Sequence, residues 1–274
     1  MIPKIKLSNT KEEIPIFCLG TWDIRNKNNM IKTIRYAIEI GLNHIDTAEM
    51  YGIAEEVIGE AIRGIDRKRI FITSKVLPQN ASFNGTILAC ERSLKKLKTD
   101  YIDLYLLHWY EPWLNLSETF SAFSKLIEMG KIRYAGVSNF KIPELQEMIE
   151  IFKPLKIVNN QVKYNLDNFR YVEEELLPFC EENYITISGY SPLWQGREPK
   201  GTEKWKILEE IAKKYNAKPF QIVLNFLLRK GKIFLIFKTE NTLHLEENVN
   251  SINLKVEKED LEKIEKVFSQ NYND

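Results

Sequence analysis

The pattern that most restricts this chain is a repeat of short apolar runs separated by amphipathic stretches. Eight runs read as strands: Phe17–Gly20, Asn43–Asp46, Ile70–Lys75, Ile102–His108, Tyr134–Ser138, Ile157–Gln161, Thr186–Tyr190 and Ile233–Ile236. Most are almost continuously apolar, which suits strands buried on both faces of a parallel sheet. Between them helical spacing recurs. Ile31, Ile34 and Ile38 mark a helix over 28–40, with Gly41 as its stop. Stretches 83–98, 117–129 (starting at Ser117), 142–152, 171–182, 219–229 and 243–252 behave similarly. Pro143 and Pro219 suit first-turn positions, where a missing N–H is harmless. Strand and helix in alternation through 274 residues predict an α/β chain, a (β/α)8 TIM barrel forming a single domain over 1–274. Alternation alone does not fix closure, and a doubly wound sheet satisfies it as well. Three segments stand outside the count. Lys4–Thr10 with Glu13–Ile16 predicts an N-terminal β-hairpin that plugs the barrel floor, and 203–214 and 256–268 predict extra helices.

Composition narrows the function classes. With 39 basic and 38 acidic residues, the chain carries no electrostatic footprint for nucleic acid. Cys18, Cys90 and Cys180 are scattered and odd in number, so they form neither a metal spacing nor a disulfide framework. A cytoplasmic location fits best. The N-terminus lacks the apolar stretch of a signal peptide, and no run is long enough for a membrane helix.

In such a barrel the active site lies at the C-terminal ends of the strands. Asp46 ends the second strand, Lys75 the third and His108 the fourth, with Trp109 next to it. Ser138-Asn139, Gln161, Tyr190-Ser191 and Lys238-Thr239 follow at the later ends. Each has a plain structural explanation alone: Asp46 as a helix cap, Lys75 as a solvated strand end, Ser138-Asn139 as an ordinary loop. Independent caps would not put an acid, a lysine, a histidine and a phenol at neighbouring ends. A phenol titrates near pH ~10, and an ammonium beside it favours the phenolate. The expected arrangement is that Asp46 keeps Lys75 charged and Lys75 lowers the pKa of Tyr51. Tyr51 then exchanges a proton with a substrate oxygen that His108 contacts from the other side. Gly52 allows the turn that brings the phenol over the mouth. This chemistry interconverts a carbonyl and an alcohol, and the hydride it needs must come from a cofactor.

The set Asp46-Thr-Ala-Glu-Met-Tyr51-Gly52, Lys75, His108 and Gly136-Val-Ser-Asn-Phe140 resembles the aldo-keto reductases. The likeness continues through Val158-Asn-Asn-Gln161, Gly189-Tyr-Ser-Pro-Leu193 and Lys238-Thr239 with His244-Leu-Glu-Glu-Asn248. It runs in order from Leu19-Gly-Thr-Trp22 to Asn248. The resemblance implies a short-tailed, prokaryotic-type member that uses NADPH, with NADH usable, on a small carbonyl substrate. It implies Tyr51 as proton donor and Lys75, Asp46 and His108 as its partners. Ser138, Asn139 and Gln161 would meet the nicotinamide carboxamide, and Tyr190 would stack on the ring. Thr21 belongs to the implied cofactor set. Ser191, Leu193 and Gln195 lie in the segment that would cover the pyrophosphate. Lys238 and Thr239 would meet the 2′-phosphate, His244 would stand near it, and Glu247 and Asn248 would meet the adenine. Trp22, Trp109 and Trp113 are the expected substrate walls, with Trp194 a further candidate and Trp205 assigned to the core.

Some features depart from the family pattern. Many members carry Arg where His244 stands. Glu240 lies two residues after Lys238, where it would repel a 2′-phosphate. The sequence ends at Asp274 soon after a helix, whereas animal members that reduce sugars and steroids carry a long loop there; a more open mouth is expected. Family relatives are often monomers. Two other functions compete: a Schiff-base enzyme using Lys75, and a nicotinamide-nucleotide-sensing subunit without significant turnover.

Overall fold

In a computed structural model, the described residues are 1–151 and 156–269. The final residue of the helix expected over 142–152 lies outside them. β1 (Lys4–Lys6) and β2 (Glu13–Pro15) pair antiparallel as the expected hairpin. Leu7 and Ile14 from this hairpin are buried with Cys18, Phe71, Leu104, Leu106 and Phe234. Ser8 donates its backbone N–H to Thr186 Oγ1, 2.6 Å away, at the start of a barrel strand. The hairpin therefore seals the N-terminal end of the barrel.

Eight parallel strands follow: β3 (Phe17–Gly20), β4 (His44–Asp46), β5 (Phe71–Val76), β6 (Ile102–Leu107), β7 (Ile132–Ser138), β8 (Ile157–Lys163), β9 (Thr186–Tyr190) and β10 (Ile233–Phe237). β10 pairs with both β9 and β3, so the sheet closes and the doubly wound alternative is removed. Strand ends differ from the sequence reading by one or two residues. The one that matters is β6, which stops at Leu107 and leaves His108 just beyond the ladder.

Around the barrel lie α1 (Lys27–Glu39), α2 (Ala54–Ala61), α3 (Phe83–Leu97), α4 (Leu116–Glu128), α5 (Ile142–Ile151), α6 (Phe169–Tyr171), α7 (Leu177–Glu182), α8 (Glu203–Lys214), α9 (Pro219–Leu228), α10 (Thr242–Asn250) and α11 (Lys258–Phe268). α1 opens at Asn26, whose side chain accepts the Asn29 N–H, and ends before Gly41 at φ +89°. α4 starts at Leu116 after Asn115, one residue before the expected Ser117. The helix expected over 171–182 is interrupted by a π turn, Val172–Leu176. Pro178 lacks the N–H that would bond four residues back, and the wider turn accommodates that gap.

α2 was not anticipated from periodicity. It has eight residues, and its N-cap residue Ile53 makes no side-chain cap. Gly59 lets it lie close to α3: a Cβ there would stand 2.6 Å from the Lys96 carbonyl oxygen. Two buried carboxylates pin the periphery. Asp103 accepts from Arg67 at 2.6 Å, Arg133 at 2.7 Å and the Ile72 N–H at 2.8 Å. Arg133 also pairs with Glu12 of the hairpin. Glu173 accepts both arms of Arg229, at 2.7 and 2.8 Å. No helix among the described residues is long and apolar enough to cross a membrane.

Candidate active site

Side chains on a strand alternate between faces. On β4 this places His44 below Asp46, and on β5 it places Phe71, Thr73 and Lys75 in ascending order. Leu104, Leu106 and His108 follow the same steps along β6 and past its end. Phe71, Leu104 and Leu106 belong to the apolar interior, so Asp46, Lys75 and His108 form the polar layer above it.

Lys75 is fully buried at 0% exposure. Its Nζ donates to Asp46 Oδ1 at 2.7 Å, to the Thr47 carbonyl at 2.8 Å and to Tyr51 Oη at 3.4 Å. Gly52, at φ +58°, turns the chain directly after Tyr51. Asp46 is not a helix cap. Its second oxygen accepts from Gln161 Nε2 at 2.8 Å, and its backbone carbonyl accepts from Thr21 Oγ1 at 2.9 Å. The His108 ring lies 5.7 Å from the Tyr51 ring, and Trp22 packs edge-on to Tyr51 at 5.1 Å.

Burial pulls the Lys75 pKa down, but Asp46 and Tyr51 more than offset it, so the lysine holds its proton above the usual range. His108 is pushed down to about 3, first by burial and then by the Lys75 charge, so its imidazole is neutral. The expected lowering of the Tyr51 pKa does not occur. Burial raises it, and the opposing pull of Lys75 is smaller. Tyr51 is thus a neutral phenol at physiological pH, with a permanent ammonium beside it.

A second group of polar residues lies around the mouth. Ser138 Oγ donates to the Gln161 carbonyl at 2.9 Å. Asn139, at φ +61°, donates its amide to Ser138 Oγ and to the His108 carbonyl, and accepts from Tyr190 Oη at 2.9 Å. Gln195 Nε2 donates to Ser191 Oγ at 2.9 Å, and Leu193 packs partly buried against the core. Ser191, Trp194, Gln195 and Gly196 all take positive φ, which coils this segment tightly after β9. Thr239 is buried and its hydroxyl accepts the Asn241 N–H. His244, Glu247 and Asn248 share one face of α10, though Glu247 is paired with Lys218.

The aromatic candidates divide. Trp109 packs on His108 at 4.8 Å and donates its indole N–H to Glu111. Trp113 stands 61% exposed on the following loop. Trp194 donates to Asp167 and packs on Trp205, which is buried against Phe220. A cleft of about 550 Å³ lined by Arg63, Asp66, Lys98 and Tyr101 contains none of the polar layer. The sequence reading missed the Gln161–Asp46 and Lys75–Thr47 bonds. Only the barrel register, which sets Ser138 opposite Gln161 and Asp46 opposite Thr73, could have indicated that these strand ends converge.

Lys75 Nζ is engaged by Asp46, the Thr47 carbonyl and Tyr51, and a lysine held as an ammonium is a poor nucleophile, which counts against the Schiff-base reading. The barrel mouth can exchange a proton with a small oxygen-bearing ligand, as an oxidoreductase requires. Residues 17–268 match the Aldo/keto reductase family, and the chain belongs to it. It is 37% identical to a methylglyoxal reductase of Escherichia coli over 262 residues, 93% of this chain and 91% of that one. It is 35% identical to a glyoxal reductase of Bacillus subtilis, covering 95% of this chain and 91% of the relative. A thermostable aldo-keto reductase crystallised with the inhibitor epalrestat superposes with a TM-score of 0.90 at 39% identity, covering 97% of this chain and all (100%) of the other. An aldo-keto reductase from Klebsiella pneumoniae in complex with NADPH gives 0.88 at 33% identity, covering 98% and 96%.

Proposed function

We propose that this chain reduces small aldehydes and ketones to alcohols with NADPH, and that 2-oxoaldehydes such as methylglyoxal are among its substrates. The observation that carries the reading is the Lys75 ammonium set 2.7 Å from Asp46 and 3.4 Å from Tyr51 Oη. The names of the Escherichia coli and Bacillus subtilis relatives support the substrate class, and the Klebsiella pneumoniae complex supports the cofactor.

The residues present fit a nicotinamide dinucleotide. Ser138, Asn139 and Gln161 offer hydroxyl and amide groups matched to a carboxamide, beside the Tyr190 ring that Asn139 holds in place. Lys238 and Thr239 offer a charge and a hydroxyl to a phosphate. A bound nicotinamide supplies the hydride.

The remaining steps belong to the chain. The carbonyl oxygen sits between Tyr51 Oη and the His108 ring. His108 Nδ1 is buried without a partner, so Nε2 is the nitrogen able to reach the substrate. As hydride adds to the carbonyl carbon, negative charge grows on the oxygen, and Tyr51 transfers its proton there. Burial that raises the phenol pKa would make the resulting phenolate costly, and the fixed Lys75 charge stabilises it as it forms. Asp46 keeps that lysine in place, and Gln161 and Thr21 keep Asp46 in place. Protonation of Tyr51 from solvent resets the site. The buried free thiols Cys18, Cys90 and Cys180 support a reducing, cytoplasmic setting.

The test is oxidation of NADPH by purified protein with methylglyoxal and with 4-nitrobenzaldehyde. Tyr51→Phe should abolish turnover while NADPH still quenches the protein's fluorescence. Parental turnover by this variant would remove Tyr51 as proton donor.

A further inference from the structure

A polar cluster at the end of β10 takes no part in the proton chemistry. Lys238 Nζ donates to Glu240 Oε1 at 2.6 Å and to the Asp23 carbonyl at 2.8 Å. Glu240 also accepts two backbone donors, the Arg25 N–H at 2.8 Å and the Asn26 N–H at 2.7 Å. One carboxylate thus ties the turn between β3 and α1 to a segment 215 residues later. That turn contains Trp22, which packs on Tyr51, and ends at Asn26, the N-cap of α1.

The arrangement bears on phosphate binding at Lys238. Two of the three ammonium donors are engaged, and the charge is already compensated. Both Glu240 oxygens hold N–H donors, so the carboxylate cannot swing aside without breaking backbone bonds. A phosphate dianion approaching Lys238 is therefore repelled by a fixed negative charge, whereas a neutral ribose hydroxyl in the same place is not.

We propose that Glu240 is a specificity-determining residue that competes with the 2′-phosphate of NADPH for Lys238, narrowing the margin of NADPH over NADH and linking phosphate entry to the Arg25–Asn26 turn. This rests on the cofactor reading above, with Lys238 at the 2′-phosphate.

The experiment titrates NADPH and NADH separately into the parent, Glu240→Gln and Lys238→Ala, following intrinsic fluorescence. Glu240→Gln should tighten NADPH by about three- to tenfold and leave NADH within about twofold, the range of one partly screened charge interaction. Glu240→Ala serves as a second neutral variant. Lys238→Ala should weaken NADPH selectively. Hydrogen exchange at the Arg25 and Asn26 amides should speed up with NADPH and stay slow with NADH. If Lys238→Ala is selective but both neutral Glu240 variants leave the NADPH-to-NADH ratio unchanged or lower, the inference fails and the cofactor reading stands. An equal change in both affinities shows a merely structural Glu240 and also overturns it, as does unaltered amide exchange with NADPH. If Lys238→Ala shifts both cofactors equally, the placement of Lys238 at the phosphate fails first and the inference falls with it.

Discussion

Lys75→Met tests the electrostatic core of the site. Nζ lies 3.4 Å from Tyr51 Oη, and at an effective dielectric of about 20 a charge pair at that distance is worth roughly 5 kcal/mol. That stabilisation applies to the phenolate and is absent from the neutral phenol, so it acts on the transition state. With a tenfold rate change for each ~1.4 kcal/mol, turnover should fall by about three orders of magnitude. The same substitution leaves Asp46 buried without its cation, which should lower stability by about 3–5 kcal/mol. The two effects separate in the double variant Lys75→Met with Asp46→Asn. It should regain most of the stability in urea and none of the rate. The assay is NADPH oxidation with saturating methylglyoxal, beside urea unfolding followed by circular dichroism. A folded Lys75→Met protein that turns over within about tenfold of the parent would refute the claim that Lys75 stabilises the phenolate.

Two further outcomes concern stability. Burial and the Lys75 charge push His44 down to about 3, against about 6.5 for an unfolded histidine. Its contribution is present above pH ~6.5 and lost as pH falls toward ~3, because the unfolded chain takes up the proton first. His44→Phe should remove about 1.4 kcal/mol per pH unit from the slope of stability across that window, and urea midpoints at several pH values would show it. An unchanged slope means that His44 is not held neutral. Gly59→Ala places a methyl 2.6 Å from the Lys96 carbonyl, so α2 must shift away from α3. The thermal midpoint should drop by an amount matching about 1–3 kcal/mol, while a midpoint equal to the parent's would mean the helices are free to move.

Much of the barrel was legible because its strands are buried on both faces, which leaves continuous apolar runs that end abruptly in polar residues. For the same reason Asp46, Lys75 and His108 stood out: each interrupts such a run. α2 was obscured by its length, by Gly59 and by the lack of a capping side chain, since it is held by packing on α1 and α3 instead. The sign of the Tyr51 shift was not legible either. A neighbouring ammonium can be inferred from spacing, but desolvation depends on how completely Trp22 and the rest of the mouth enclose the phenol. The Glu240 cluster joins residues too far apart in sequence for any local pattern, although Glu240 beside Lys238 already marked an electrostatic conflict.

The hairpin that seals the floor decides how molecules pass through this barrel. With Leu7 and Ile14 lodged among the interior side chains, the floor is closed among the described residues, and what reacts at the polar layer would come and go by the mouth. On the function proposed above, the nicotinamide end of the cofactor would reach the polar layer and the carbonyl compound would lie above it. Traffic would then be last in, first out: the alcohol would leave before the spent nucleotide, and a slow exit by the nucleotide would hold up every later cycle.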